Sequence, residues 1–195
     1  MYRPLSFTAA CDAAIAPVLG GTAWLDADLP WPTSAHGHAL LHLASLPAAF
    51  IRSHVGGPDI APGLIISVFT PYLTSGEQRF EEAMNEGGRV IAHWPGHEPR
   101  ASPCEPIGPL HIFAGAAMAE DEAPHGSSKI GGRPYWLQDD ESEDLAFVLQ
   151  IDAFDLDTAA PSHPGILIGG MGYLLLDRNI QSASTSCGRF VIQTT

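Results

Sequence analysis

A glycine pair followed by an aromatic residue occurs twice in this chain, and each occurrence heads a parallel series of motifs. Leu19-Gly20-Gly21-Thr22-Ala23-Trp24-Leu25 resembles Ile130-Gly131-Gly132-Arg133-Pro134-Tyr135-Trp136 at a spacing of 111 residues, with Trp24 opposite Tyr135. Leu41-His42-Leu43 then matches Leu149-Gln150-Ile151 at 108. Pro62-Gly63-Leu64-Ile65-Ile66 matches Pro164-Gly165-Ile166-Leu167-Ile168 at 102, and Gly88-Arg89-Val90-Ile91 matches Gly188-Arg189-Phe190-Val191 at 100. Four matches in one order, with a shrinking spacing, point to a duplicated unit whose second copy lost loop residues. The 195 residues are read as one domain, with repeat one over about 18–94, a proline-interrupted connector over about 95–127 and repeat two over about 128–195. A single copy buries little surface, so the halves are expected to share one core or one continuous sheet.

Each copy reads as strands set off by turns. The glycine pair permits positive φ before an extended segment. Short apolar runs bounded by turn residues predict buried strands over 39–46 and 145–151, and over 64–69 and 166–168. A last strand is expected over 189–193. Helical spacing predicts short helices over 7–18, 45–55 and 75–85. The expected fold is therefore α+β and strand-rich: two pseudo-symmetric repeats forming a mostly antiparallel sheet, with a few short helices.

Charge narrows the function. Twenty-two Asp and Glu against nine Lys and Arg leave a net −13. A field of that sign repels nucleic acid and anionic membrane, and it favours a basic partner. No run of about 18 apolar residues is present, so no membrane span is expected. The first 17 residues lack the continuous apolar core of a signal peptide. Cys11, Cys104 and Cys187 are odd in number and widely spaced. That argues against a disulfide framework and for a reduced, cytoplasmic protein.

Asp139-Asp140-Glu141-Ser142-Glu143-Asp144 is the sharpest local feature, with five carboxylates in six positions between two expected strands. Most such runs are solvated loop tips; the functional reading is an acidic face that docks on a cationic protein surface. Tyr135 and Trp136 beside it would supply an apolar anchor. The Asp-x-Asp-x-Asp-Gly spacing of a calcium loop is missing. Glu120-Asp121-Glu122 forms a second acidic cluster. His36-x-His38 and His42 would share one face of a strand, where imidazoles bind metals. Gly37 between them reads as a loop, however, and no Cys or carboxylate lies nearby at ligand spacing. These histidines are read as surface or hydrogen-bonded groups, and no metal or cofactor is assigned. Cys104 sits between prolines, Cys187 follows a serine-rich turn, and no Gly-x-Ser-x-Gly elbow occurs, so no catalytic residue is assigned. Lys129 to Arg133 lacks the pattern of a phosphate-binding loop, and Gly169-Gly170-Met171-Gly172 reads as a bulge or close strand approach.

The second half also resembles a known family. Ser128-Lys129-Ile130-Gly131-Gly132-Arg133-Pro134-Tyr135-Trp136-Leu137-Gln138, then Phe147-Val148-Leu149-Gln150-Ile151-Asp152 and Pro164-Gly165, are similar to the YwqG-like bacterial domain of unknown function. Gly20-Gly21, Trp31-Pro32 and Leu41-His42-Leu43 resemble its looser N-terminal pattern, with His42 where a Gln is expected. The resemblance implies an internally pseudo-symmetric α+β fold without established catalytic residues. It also implies a candidate immunity protein, one that neutralises a cognate secreted bacterial toxin, plausibly a nuclease. The acidic loop residues Asp139, Asp140, Glu141, Glu143 and Asp144, with Tyr135 and Trp136, are the expected contacts. The competing expectation is a small-molecule or metal-binding protein, or an enzyme, that uses the cleft between the repeats, with His36, His38 and His42 converging there.

Overall fold

The computed structural model describes residues 1–11, 15–73, 78–119 and 126–195; the side chains of 78, 79, 85 and 86 fall outside the description. The first half of the chain supplies strands β1 (Tyr2–Ala9), β2 (Val18–Leu19), β3 (Leu41–Pro47), β4 (Asp59–Ile60), β5 (Ile65–Thr70) and β6 (Arg89–His93). The second supplies β7 (Leu110–Ala114), β8 (Lys129–Gly131), β9 (Ala146–Asp152), β10 (Met171–Leu176), β11 (Asn179–Ile180) and β12 (Gly188–Gln193). Helix α1 (Ala48–His54) follows β3 and α3 (Ala153–Ala159) follows β9, while α2 (Gln78–Glu81) runs into a π-helical turn, Glu82–Glu86. Ten of the strands form one antiparallel sheet in the order β12-β10-β9-β8-β1-β7-β2-β3-β5-β6.

That order is a palindrome about the β1–β7 pair, and it shows how the halves are joined. The first strand of each half is exchanged: β1 pairs with β8 of the other half, and β7 pairs with β2. The sheet's outer strands then curl round to meet. The Gly88 amide donates to Phe190 O at 2.9 Å, the Cys187 amide to Val90 O at 3.1 Å, and Ala92 and Ser184 exchange backbone bonds. The result is a nearly closed barrel, which removes exposed strand edges. Its interior is one cluster drawn from both halves, including Ala44, Leu46, Val68, Leu149, Leu174 and Phe190. A smaller cluster around Leu25, Leu40, Phe69 and Ile91 lies outside it.

Register sharpens the repeat. β3 skips Leu43 against β5, between the pairs His42↔Phe69 and Ala44↔Val68. β9 skips Val148 against β10, between Phe147↔Leu175 and Leu149↔Leu174. The bulges are equivalent, so Ser45 corresponds to Gln150 and the earlier pairing of His42 with Gln150 is three residues out of step. Each bulged strand runs straight into its helix, with Pro47 and Asp152 as the caps. Asp152 Oδ1 accepts from the Phe154 and Asp155 amides, whereas Pro47 has no side-chain acceptor to offer. Both glycine pairs adopt the positive φ expected of them, between 67° and 73°.

Three local expectations are corrected. Residues 7–9 end β1 instead of opening a helix: from Arg3 to Thr8 half-buried and exposed residues alternate, a strand period in which Leu5 and Phe7 face the core. The expected strand over 166–168 is a turn, with Ile168 at φ 47° between Gly165 and Gly169, both also positive. Ile166 and Leu167 are buried like strand residues, but the positive φ values at 165, 168 and 169 keep the segment turning, and the strand starts only at Met171. The expected helix over 45–55 is shortened to α1, because residues 45–47 stay in β3. Of the helix expected over 75–85, residues 75–77 lie outside the described residues, as does the Glu120-Asp121-Glu122 cluster.

Candidate functional site

On the outer face of the barrel, three equivalent positions in each half form a buried polar row across three strands. In the second half the row is Gln150 on β9, Tyr173 on β10 and Gln193 on β12, each 0% exposed. These groups bond to the loop above them. Gln150 Oε1 accepts from the Tyr135 amide at 2.9 Å, and its Nε2 donates to Ser127 O. The Tyr173 hydroxyl donates to Tyr135 O at 2.6 Å. Gln193 Oε1 accepts from the Leu137 and Gln138 amides at 3.2 and 3.0 Å, and its Nε2 donates to Asp139 O at 2.8 Å. Burial pushes the Tyr173 phenol up to about 12, so it stays a hydroxyl at physiological pH. A stretch without regular structure is thus held, amide by amide, on the sheet.

The acidic loop continues from this anchored stretch. Gln193 Nε2 also donates to Glu141 Oε1, and Arg189 bonds Glu141 and Glu143, both at 3.2 Å. Two of the five carboxylates are therefore matched by one guanidinium. Asp139, Asp140 and Asp144 are exposed. Asp140 accepts from the Ser142 hydroxyl and amide, which hold its carboxyl below the usual carboxylate range. Trp136 packs its ring 4.5 Å from that of Tyr173 at a 40° tilt, and Tyr135 is half-buried, so both serve partly as support for the loop. Beneath the loop lies a cleft of about 350 Å³ between the two halves, lined by His54, Gly131, Gly132, Asp140, Ser142 and Arg178.

In the first half the same row is Ser45, Ser67 and His93, and it closes on itself. His42 Nε2 lies 2.9 Å from Ser45 Oγ, the two serine hydroxyls are 2.9 Å apart, and Ser67 Oγ is 2.8 Å from His93 Nε2. His93 Nδ1 bonds Trp94 O, and His42 Nδ1 faces Gly21 O. His42 is 2% exposed and so turns into the fold, away from the exposed His36 and His38, and none of the three lines the cleft. Burial, partly offset by the Trp94 carbonyl, holds the His93 ring below its ordinary 6.5. A depressed histidine stabilises the fold fully above 6.5, and that stability is lost as pH falls below it. His93→Gln, which copies Gln193, is expected to flatten this part of the profile. Melting temperatures between pH 7.5 and 5.5 will show a steeper fall in the parent than in the variant.

His38 has a different partner, Glu82 in the π-helical turn, with Nδ1 2.6 Å from Oε1. Neither the Cys104 nor the Cys187 thiol is activated. The Cys104 thiol is raised by burial and donates to Ala39 O, and that of Cys187 is pushed up to about 12. Among the described residues no group of three or more His, Cys, Asp or Glu is arranged to hold a metal ion, and no helix is long and apolar enough to cross a membrane. No family model matches the chain, and no curated protein does. Reasoning from sequence missed Tyr173, Gln193, Arg189 and Glu82. Gln193 had a readable signal, because the Gly-Arg match at a spacing of 100 already aligns it with His93.

Proposed function

We propose that the protein is a non-enzymatic binding module that presents the acidic loop 139–144 to a basic protein surface. The observation that carries this reading is the anchoring of the loop by Gln150, Tyr173 and Gln193. A loop fixed before the encounter loses little conformational entropy on binding. Asp139, Asp140 and Asp144 stand exposed on it, in a chain of net charge −13. Such a field speeds association with a cationic partner. Together with the resemblance to YwqG-like domains, this supports an immunity role in the cytoplasm. There the protein would neutralise a cognate toxin, plausibly a nuclease whose cationic groove holds nucleic acid.

The test is co-expression with the product of any secreted-effector gene found beside its own. Protection from toxicity and co-purification of the pair are expected. Replacing Asp139, Asp140 and Asp144 by Asn should slow association about tenfold at low salt and reduce its salt dependence. Absence of both protection and binding contradicts the reading; unchanged kinetics in the triple variant moves the interface off this loop. A second reading, a small-molecule site, is favoured by the cleft between the halves, whose volume of about 350 Å³ falls within the range of ligand pockets.

A further inference from the structure

Glu82 is a carboxylate 1% exposed, and it receives one ring nitrogen of an exposed histidine. Its Oε1 lies 2.6 Å from His38 Nδ1. Its other oxygen, Oε2, is buried with no hydrogen-bond partner among the described residues. Burying a carboxylate costs several kcal/mol unless charge or hydrogen bonds offset it, roughly as much as the ion's effective desolvation. A carboxylate held at Nδ1 fixes the imidazole tautomer, with the proton on Nδ1 and the lone pair on Nε2. The same arrangement stands behind most histidines that ligate metals.

His38 does not stand alone. His36 lies two residues away, with Gly37 at φ 82° between them, and the two rings are 6.5 Å apart, centroid to centroid. The segment carrying them is a closed hairpin. Thr33 bridges Ala39, the Ser34 amide donates to His38 O at 2.8 Å, the Gly37 amide donates to Ser34 O at 2.9 Å, and Leu40 N donates to Pro32 O. Two imidazoles on one ion at nitrogen distances of about 2.0–2.1 Å would bring their centroids to roughly 4.5–5.5 Å. A side-chain rotation closing the rings by about 1–2 Å meets that requirement, and both side chains lie at the surface.

We infer that His36 and His38, with Glu82 behind His38, form a binding site for a borderline divalent transition ion, Cu²⁺ or Zn²⁺, with water completing the coordination. Imidazole pairs select such ions over Mg²⁺ or Ca²⁺, which take oxygen ligands. The Glu82 carboxylate behind His38 and the net charge of −13 both favour a cation at this point. The inference is independent of the acidic loop, which lies on the second half.

Calorimetric titration of the whole chain with Cu²⁺ and with Zn²⁺ tests the site, with electron paramagnetic resonance of the Cu²⁺ form. One tight ion per chain is expected, with hyperfine splitting from two nitrogens. His36→Ala and His38→Ala should each abolish the tight phase, and Glu82→Gln should weaken it about 10- to 100-fold. His97→Ala, which removes an exposed histidine elsewhere, should leave it unchanged. Because His36 and His38 are exposed, their variants are expected to fold, which circular dichroism will verify. Tight binding that survives in both histidine variants overturns the inference, as does its loss in His97→Ala or the absence of a tight phase in the parent.

Discussion

Gly170→Ala is expected to lower the melting temperature by about 6–12 °C, the effect of about 3 kcal/mol in a chain of this size. A Cβ at residue 170 would sit 1.9 Å from Gln193 O, 2.8 Å from Gln193 C and 3.0 Å from Thr194 Cα. All three are backbone atoms, so no side chain can swing aside. The strain falls where β10 begins beside β12, next to the residue that holds the loop. Gly56→Ala is the matched control, since nothing lies within 4 Å of its Cβ and its φ is unexceptional. It should be neutral or stabilise by a few tenths of a kcal/mol, roughly what a less flexible unfolded chain contributes. Thermal unfolding of the two variants separates close backbone approach from a generic glycine effect.

Gln193→Ala is the second large effect. It removes the acceptor shared by the Leu137 and Gln138 amides and the donor to Asp139 O and Glu141. Groups that lose a partner while still covered cost about 1–3 kcal/mol each. Water can enter once the loop lifts, so a total of about 3 kcal/mol is expected. The loss should be local as well as global, because Arg189 alone would still hold Glu141 and Glu143. Chemical denaturation measures the total. Tyr173→Phe should show a smaller loss, since Leu137 N keeps its bond to Gln193.

What was legible in the sequence follows from the range of the interactions involved. Gly20-Gly21 and Gly131-Gly132 announced their turns because positive φ is a property of single residues. The apolar runs announced β3, β5 and β9 to within two residues. The first strand was hidden: Tyr2–Ala9 is extended because β7 and β8, from the other half, flank it on both sides. Local helical spacing cannot register partners more than a hundred residues away. Residues 166–168 failed for the opposite reason, since apolar content marked burial but Ile168 takes a turn conformation.

The candidate site divides along the same line. The acidic run was visible as composition, and Tyr135 and Trp136 were visible as its neighbours. Its anchoring was not, because Gln150, Tyr173 and Gln193 come together only through strand register. Nor was the contrast between the halves, where Ser45, Ser67 and His93 fill the same positions and satisfy one another. One row is closed, and the other holds a loop. Glu82 gave no signal at all, because its partner His38 is 44 residues distant.

Hydrogen exchange at the Leu137 and Gln138 amides tests the anchored loop most directly. Both amides belong to a stretch without regular structure, yet each has an acceptor on the buried row. They are expected to exchange orders of magnitude more slowly than an unstructured peptide, and Gln193→Ala should return both to loop-like rates while amides of β9 stay protected. Fast exchange of both amides in the parent protein would contradict that expectation, leaving the acidic run a mobile loop without the pre-set geometry on which the binding proposal stands.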